Sequence, residues 1–127
     1  MRMHRILVGV VAGVVALTLA ACSGGGSKKE PGLGGDAANG KVLFVETCSS
    51  CHGPDGKGLP GLGKGLHESE FTNGLTDQEL LDFMKVGRST SDPLNTTGVE
   101  MPARGGNPAL TDEKLIDIIA YIRTLRK

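Results

Sequence analysis

The run Cys48-Ser49-Ser50-Cys51-His52 is the segment of the chain whose residue types and spacing best support chemistry. Two cysteines three positions apart lie on nearly the same side of a helical turn, so each thiol can add to one vinyl group of a single porphyrin. The adjacent histidine then lies under the iron and offers it a ring nitrogen. This pattern is typical of covalent haem attachment. We predict one haem c, bound through Cys48 and Cys51, with His52 as an iron ligand.

Three other kinds of site use similar residues. A structural zinc site usually needs four ligands. The folded part of the chain has only four cysteine and histidine residues, Cys48, Cys51, His52 and His67, so a zinc site would have to use every one of them. A thioredoxin-like redox pair belongs in a βαβ unit, for which the sequence shows no strand signal. A plain disulfide is compatible with an oxidising compartment. The histidine directly after the second cysteine favours haem over these alternatives.

The second iron ligand must come from further along the chain. Met101 is followed by Pro102 in a segment rich in glycine and proline, where a side chain can point at the iron without a helix fixing its direction. Met84 falls on an apolar helical stripe, which favours core packing. His67 lies in an irregular polar stretch and is expected to be exposed. We predict Met101 as the ligand, with Met84, His67 or an open position as the alternatives.

Three helices are predicted around these residues. Asp36 is placed to cap a helix over 37–47. Thr76-Asp77-Gln78-Glu79 forms a capping box that opens a helix ending at about Val86, before Gly87. Thr111 caps the last helix, which carries an apolar stripe at helical spacing. That stripe consists of Leu115, Ile118, Ile119, Ile122 and Leu125.

The segments between the helices are rich in glycine and proline over 53–65 and 88–108, and are predicted to be loops. No strand pattern and no internal repeat is found. The fold class predicted is therefore all-α, with three main helices and long loops. Long loops in a compact domain usually surround something, and here we expect them to surround the haem.

The N-terminus is typical of an export signal. Two arginines and a histidine precede an uncharged run over 6–21, which has the length of a signal-peptide core and is short for a membrane span. The segment Leu19-Ala20-Ala21-Cys22 resembles a bacterial lipobox, so we predict a signal peptide over 1–21 and lipidation of Cys22. A flexible linker follows over 22–35 and a haem domain over 36–127. The alternative is an uncleaved N-terminal anchor. In both cases the domain is exported and held at a membrane on the periplasmic or extracytoplasmic side.

Cysteine count and charge agree with this division. If Cys48 and Cys51 hold haem, Cys22 is left without a partner, and a lipid thioether would use it. The whole chain has 14 basic and 14 acidic residues, and loss of Arg2 and Arg5 with the signal leaves 12 basic ones. A slightly acidic domain lacks the basic character of nucleic-acid binders. We predict no nucleic-acid partner.

Over residues 36–127 the chain resembles a class I cytochrome c. Gly40 and Phe44 match the glycine and aromatic residue of the family's first helix, and Ile118 and Tyr121 match the apolar and aromatic pair of its last helix. The resemblance implies that these two helices cross, with the glycine allowing a close approach. The cysteine–histidine motif lies between them in the family's order.

Two further segments extend the resemblance. Pro60-Gly61-Leu62 is similar to the family's Pro-x-Leu, which implies that Pro60 and Leu62 contact the haem and that the proline carbonyl accepts a hydrogen bond from His52. The segment 99–102 is similar to the family's ligand methionine segment.

The resemblance implies a monomeric carrier of single electrons and not an enzyme, and the N-terminal signal with Cys22 predicts that this carrier is tethered to a membrane. Its expected partners are redox proteins, such as a terminal oxidase, a quinol-oxidising complex or a reductase. The alternative is a haem peroxidase or a small-ligand sensor, and both of these require an open iron position.

Overall fold

The computed structural model describes residues 32–127, so the predicted signal, Cys22 and most of the linker lie outside the described residues. The described part is helical, with two isolated β-bridges and no strand. This confirms the predicted all-α class. Among residues 32–127, no helix has the length and apolar character needed to cross a bilayer.

The helices occur in the order α1, α2, α3, α4 and α5, with one 3₁₀ turn before the last helix. Their bounds are Ala37–Thr47 for α1, Ser49–His52 for α2, Glu70–Gly74 for α3, Asp77–Val86 for α4, Ala103–Gly106 for the 3₁₀ turn and Asp112–Thr124 for α5.

The three predicted helix starts are confirmed. The Asp36 side chain accepts hydrogen bonds from the backbone N–H groups of Ala38 and Asn39. Thr76 and Glu79 form the reciprocal capping box of α4. Thr111 caps α5. Each cap satisfies N–H groups that the first turn of a helix leaves without partners.

The main packing contact joins α1 to α5. A β-carbon on Gly40 would overlap the carbonyl group of Asp117, so the two backbones touch. Beside this contact the rings of Phe44 and Tyr121 pack with their centroids 5.3 Å apart. The Asp117 carboxylate also accepts hydrogen bonds from the Asp36 N–H and from the Asn39 amide, each at 2.7 Å. The crossing implied by the family resemblance is therefore present.

Arg123 fastens α5 to the segment that joins α3 and α4. Its guanidinium donates to the Asp77 carboxylate at 2.7 Å, to the Leu75 carbonyl at 2.8 Å and to the Thr72 carbonyl. Carbonyl groups at the end of a short helix need such donors, because the helix itself supplies none. The α5 helix thus organises both the first helix and the middle of the domain.

The buried core contains four of the five residues of the predicted α5 stripe, and Leu125 is half-buried. Apart from α2, which is the helical turn assumed for the cysteine motif, two elements were not predicted. The five-residue α3 begins at Ser69, whose hydroxyl accepts from the Thr72 N–H. The 3₁₀ turn contains Arg104 in a left-handed conformation.

Candidate functional site

A cavity of about 840 Å³ opens between the helices and the two long loops. Its wall is mainly apolar and includes Phe44, Leu66, Leu80, Phe83 and Ile122. A domain of this size ordinarily fills its interior with side chains and leaves few voids larger than water. The cavity therefore has the volume and lining that suit a large apolar group, and Cys48, Cys51, His52 and Met101 all line it as well.

Cys48 lies at the junction of α1 and α2, and Cys51 lies within α2. They are not joined in a disulfide, and the described residues contain no cluster of three or more metal-binding side chains. Burial, and secondarily the neighbouring Cys51, raises the pKa of Cys48 to about 11. The Cys48 thiol is therefore neutral at physiological pH, and a thioether, which is uncharged, suits this surrounding.

His52 ends α2 and is oriented by a hydrogen bond from its ring. Nδ1 lies 2.8 Å from the carbonyl oxygen of Lys64. A carbonyl can only accept, so Nδ1 carries the proton and Nε2 keeps a free lone pair. A second partner of this kind fixes both the tautomer and the ring orientation of a metal-binding histidine. The chain thus supplies an imidazole prepared to bind iron.

The predicted hydrogen bond from His52 to the Pro60 carbonyl is wrong, because the His52 ring pairs with another carbonyl. Pro60 and Leu62 lie on a tight turn closed by backbone hydrogen bonds between Leu59 and Gly63, at 3.0 and 3.2 Å. Pro60 is exposed and does not line the cavity, and Leu62, which does, remains 44% exposed. The acceptor for His52 is Lys64, and the leucine two positions later, Leu66, is the buried one.

Met101 is held at the cavity by its own backbone. Its N–H donates to the Arg88 carbonyl at 2.9 Å, and its carbonyl accepts from the Arg88 N–H at 2.8 Å. This pair closes the loop over 88–101. A β-carbon on Gly87 would overlap the Met101 carbonyl oxygen, and Gly87 also has a φ of +77°. Glycine is therefore required where α4 ends and the loop begins.

Asn95 organises the interior of the same loop. Its amide nitrogen donates to the carbonyls of Ser89 at 3.0 Å and Val99 at 2.8 Å. Its amide oxygen accepts from the N–H groups of Thr97 at 3.2 Å and Gly98 at 3.0 Å. One half-buried side chain thus joins both arms of the loop that carries Met101. Asn95 was not predicted, because nothing local in the sequence distinguishes it from other loop asparagines.

Asn95→Ala is expected to loosen the loop by about 2 kcal/mol, because four backbone groups lose a partner at once. Amide hydrogen exchange at Arg88 and Met101 should become about tenfold faster or more. The neighbouring Thr96→Ala is the control, since Thr96 is exposed, and it should leave exchange within twofold of wild type. Equal exchange rates in the two variants would show that Asn95 does not hold the loop.

The two rival ligand residues are placed differently. Met84 lines the cavity from α4 but is only 4% exposed and belongs to the core cluster. His67 was predicted to be exposed but is half-buried. Its Nε2 lies 2.7 Å from the Asp55 carbonyl oxygen. That nitrogen is thus engaged in a hydrogen bond.

A helical domain whose Cys-x-x-Cys-His motif lines a haem-sized cavity defines a c-type cytochrome. The cytochrome c family model matches residues 37–126, and the chain belongs to this family as a class I monohaem member. It carries covalently attached haem c and is an electron carrier.

Individual relatives agree with the family match. The chain is 33% identical over 88 residues to cytochrome c-555 of Prosthecochloris aestuarii, covering 68% of this chain and 85% of that protein. The same identity and length relate it to cytochrome c-555 of Chlorobaculum thiosulfatiphilum, of which 93% is covered. It is 27% identical over 99 residues to the cbb3-type cytochrome c oxidase subunit FixP of Bradyrhizobium diazoefficiens, covering 77% of this chain and 33% of that subunit. No significant match was found among solved structures.

Proposed function

We propose that this cytochrome is a membrane-tethered carrier that passes single electrons between redox proteins through an iron ligated by His52 and Met101. The observation that carries the proposal is the shared cavity. An imidazole with a defined tautomer and a thioether held by a closed backbone pair line the same apolar space. The placement of Met84 in the core and the hydrogen bond of His67 favour Met101 over both.

Haem c supplies a one-electron iron couple when bound. The residues of the chain set how readily it is reduced. The Met101 thioether favours the ferrous state relative to a second imidazole. Apolar side chains such as Leu80 and Ile122 exclude water and disfavour the additional positive charge of the ferric state. Loop anchoring by Arg88 and Asn95 keeps the thioether in one position, so little rearrangement accompanies electron transfer.

Carbon monoxide binding to the reduced protein tests this function. Carbon monoxide requires a free iron position, so an iron ligated on both sides should bind it slowly and incompletely at neutral pH. Rapid, complete binding would contradict simple electron transfer and favour a peroxidase or a small-ligand sensor. A spectrum recorded with and without the gas decides between these outcomes.

The membrane tether is proposed from the N-terminal sequence. A lipid on Cys22, followed by a glycine- and serine-rich linker, would hold the haem domain at the extracytoplasmic face of a membrane, at raised effective concentration near its partners. Growth with labelled palmitate should label the wild-type protein and not Cys22→Ala. An unlabelled wild type, or equal label in both, would favour an uncleaved anchor.

The proposed partners are redox proteins that meet the cytochrome briefly, with the cytochrome acting as a monomer. Similarity to FixP, and to the cbb3-type oxidase subunit CcoP of Rhodobacter capsulatus at 32% identity over 94 residues, favours a terminal oxidase as acceptor. A quinol-oxidising complex or a reductase would also fit a carrier of this kind. Electron-transfer encounters commonly use small interfaces that dissociate quickly.

A further inference from the structure

Arg88 places a positive charge on the wall of the cavity. Its guanidinium carbon lies 4.3 Å from the ring centroid of Phe71 and 4.9 Å from that of Phe83. The two rings pack edge to face at 4.9 Å, and all three side chains line the cavity. Only 15% of the Arg88 side chain is exposed. The cation is therefore held in place by aromatic contacts.

The hydrogen bonds of Arg88 are not satisfied by the described residues. Its Nε is buried and has no hydrogen-bond partner among residues 32–127. The Asp92 carboxylate lies 3.3 Å from this nitrogen, which is ion-pair distance without hydrogen-bond alignment. Arg104, by contrast, donates to the Leu110 carbonyl at 2.6 Å and to Asp112 at 2.7 Å. Arg88 thus retains donor capacity that Arg104 has used.

A half-satisfied guanidinium beside an apolar cavity calls for an acceptor from within that cavity. Removing a cation from water is unfavourable unless it is paired and hydrogen-bonded, and cation–π contacts contribute only about 0.5–2 kcal/mol. The anionic groups of haem c are its propionate carboxylates. Guanidinium groups bind carboxylates through paired, charge-assisted hydrogen bonds.

We propose that Arg88 binds a haem carboxylate and thereby raises the reduction potential of the iron. The proposal rests on haem occupying this cavity. Lys57, Lys64 and Lys127 also line the cavity, but all three are exposed to solvent, which screens their charge. Arg88 is the least exposed of these cations. A cation near the haem stabilises the ferrous form, whose net charge is one unit more negative.

The same residue also joins this charge to the ligand loop. The Arg88 backbone pairs with Met101 in both directions, while its side chain faces the cavity. A carboxylate bound by the side chain would therefore fix the residue whose backbone holds the methionine. One position then influences the potential in two ways, through its charge and through the ligand.

Nuclear magnetic resonance of the reduced protein tests the contact directly. In ¹⁵N-arginine-labelled wild type, the Arg88 Nε–H should exchange slowly and show a nuclear Overhauser contact to haem propionate methylene protons. Absence of that contact would overturn the proposal, whatever the variants show. Because this measurement does not depend on which residue is the second ligand, its outcome is separable from that of the carbon monoxide test.

Redox titration tests the effect on the potential. At fixed poise, Arg88→Gln should lower the ferrous-to-ferric ratio about tenfold, a Coulombic effect of one partly buried charge; tenfold corresponds to 59 mV for one electron. Arg88→Lys keeps the positive charge and should lower the ferrous-to-ferric ratio less than Arg88→Gln does. Arg126→Gln removes an exposed arginine outside the cavity and should change the ratio less than twofold. Equal effects of Arg88→Gln and Arg126→Gln would overturn the proposal. If Arg88→Gln loses its native spectrum, Arg88→Lys and the wild-type contact decide.

Discussion

Gly40→Ala is expected to lower the free energy of unfolding by about 3 kcal/mol. The new methyl group would overlap the Asp117 carbonyl, so α1 and α5 must separate. Separation also strains the contact between Phe44, which is fully buried, and Tyr121. Excess volume in a well-packed contact costs about 1–3 kcal/mol and occasionally more. We place Gly40 at the upper end because the overlap is with backbone, which cannot rotate away.

Denaturant unfolding of the haem-containing protein, followed by circular dichroism, measures this loss. The matched control is Gly74→Ala, because a β-carbon at Gly74 meets no atom within 4 Å. It should change stability by less than about 1 kcal/mol. If Gly40→Ala and Gly74→Ala were equally stable, the close helix crossing would not be a determinant of the fold.

Met101→Ala is expected to shift the ferrous-to-ferric equilibrium towards the ferric form by about a hundredfold or more. Axial ligands move haem potentials over as much as about 0.8 V, and a thioether favours the reduced iron. The small alanine also leaves one side of the iron open, so the reduced variant should bind carbon monoxide rapidly. Redox titration and absorption spectra with the gas give both readings on one sample.

Met84→Leu is the control, since it replaces the rival methionine with a residue of similar volume. Such swaps usually cost less than about 1.5 kcal/mol of stability. The absorption spectrum should be unchanged, and the ferrous-to-ferric ratio should stay within twofold of wild type. If Met101→Ala left the spectrum and potential unchanged while Met84→Leu altered them, the ligand assignment would pass to Met84.

The helices that were predicted correctly are those with an explicit start signal. Asp36, the Thr76–Glu79 box and Thr111 each bond to nearby N–H groups, so their effect is encoded within four residues of sequence. The α3 helix was missed because it is short, although Ser69 at its N-cap was a usable signal. The approach of α1 to α5 could be anticipated only from the family resemblance, since it joins residues about eighty positions apart.

The incorrect assignment of Pro60 has a physical reason. The path of the loop over 53–65 is set by backbone hydrogen bonds, including the pair between Leu59 and Gly63. No periodic sequence pattern indicates such bonds. The short motif match therefore assigned the acceptor to the Pro60 carbonyl, four residues before Lys64, which accepts the bond. Arg88 was missed for a related reason: its neighbours Phe71 and Phe83 come together only after α3 and α4 have packed.

The contact between α1 and α5 also constrains the order of events during biogenesis. The first helix finds its main partner only when residues 112–124 are available, so the domain cannot close before that segment has been made. Cys48, which becomes half-buried on closure, is more accessible during that interval. The haem-attachment machinery would thus meet thiols that are more accessible before the C-terminal helix packs than afterwards, when both line the cavity.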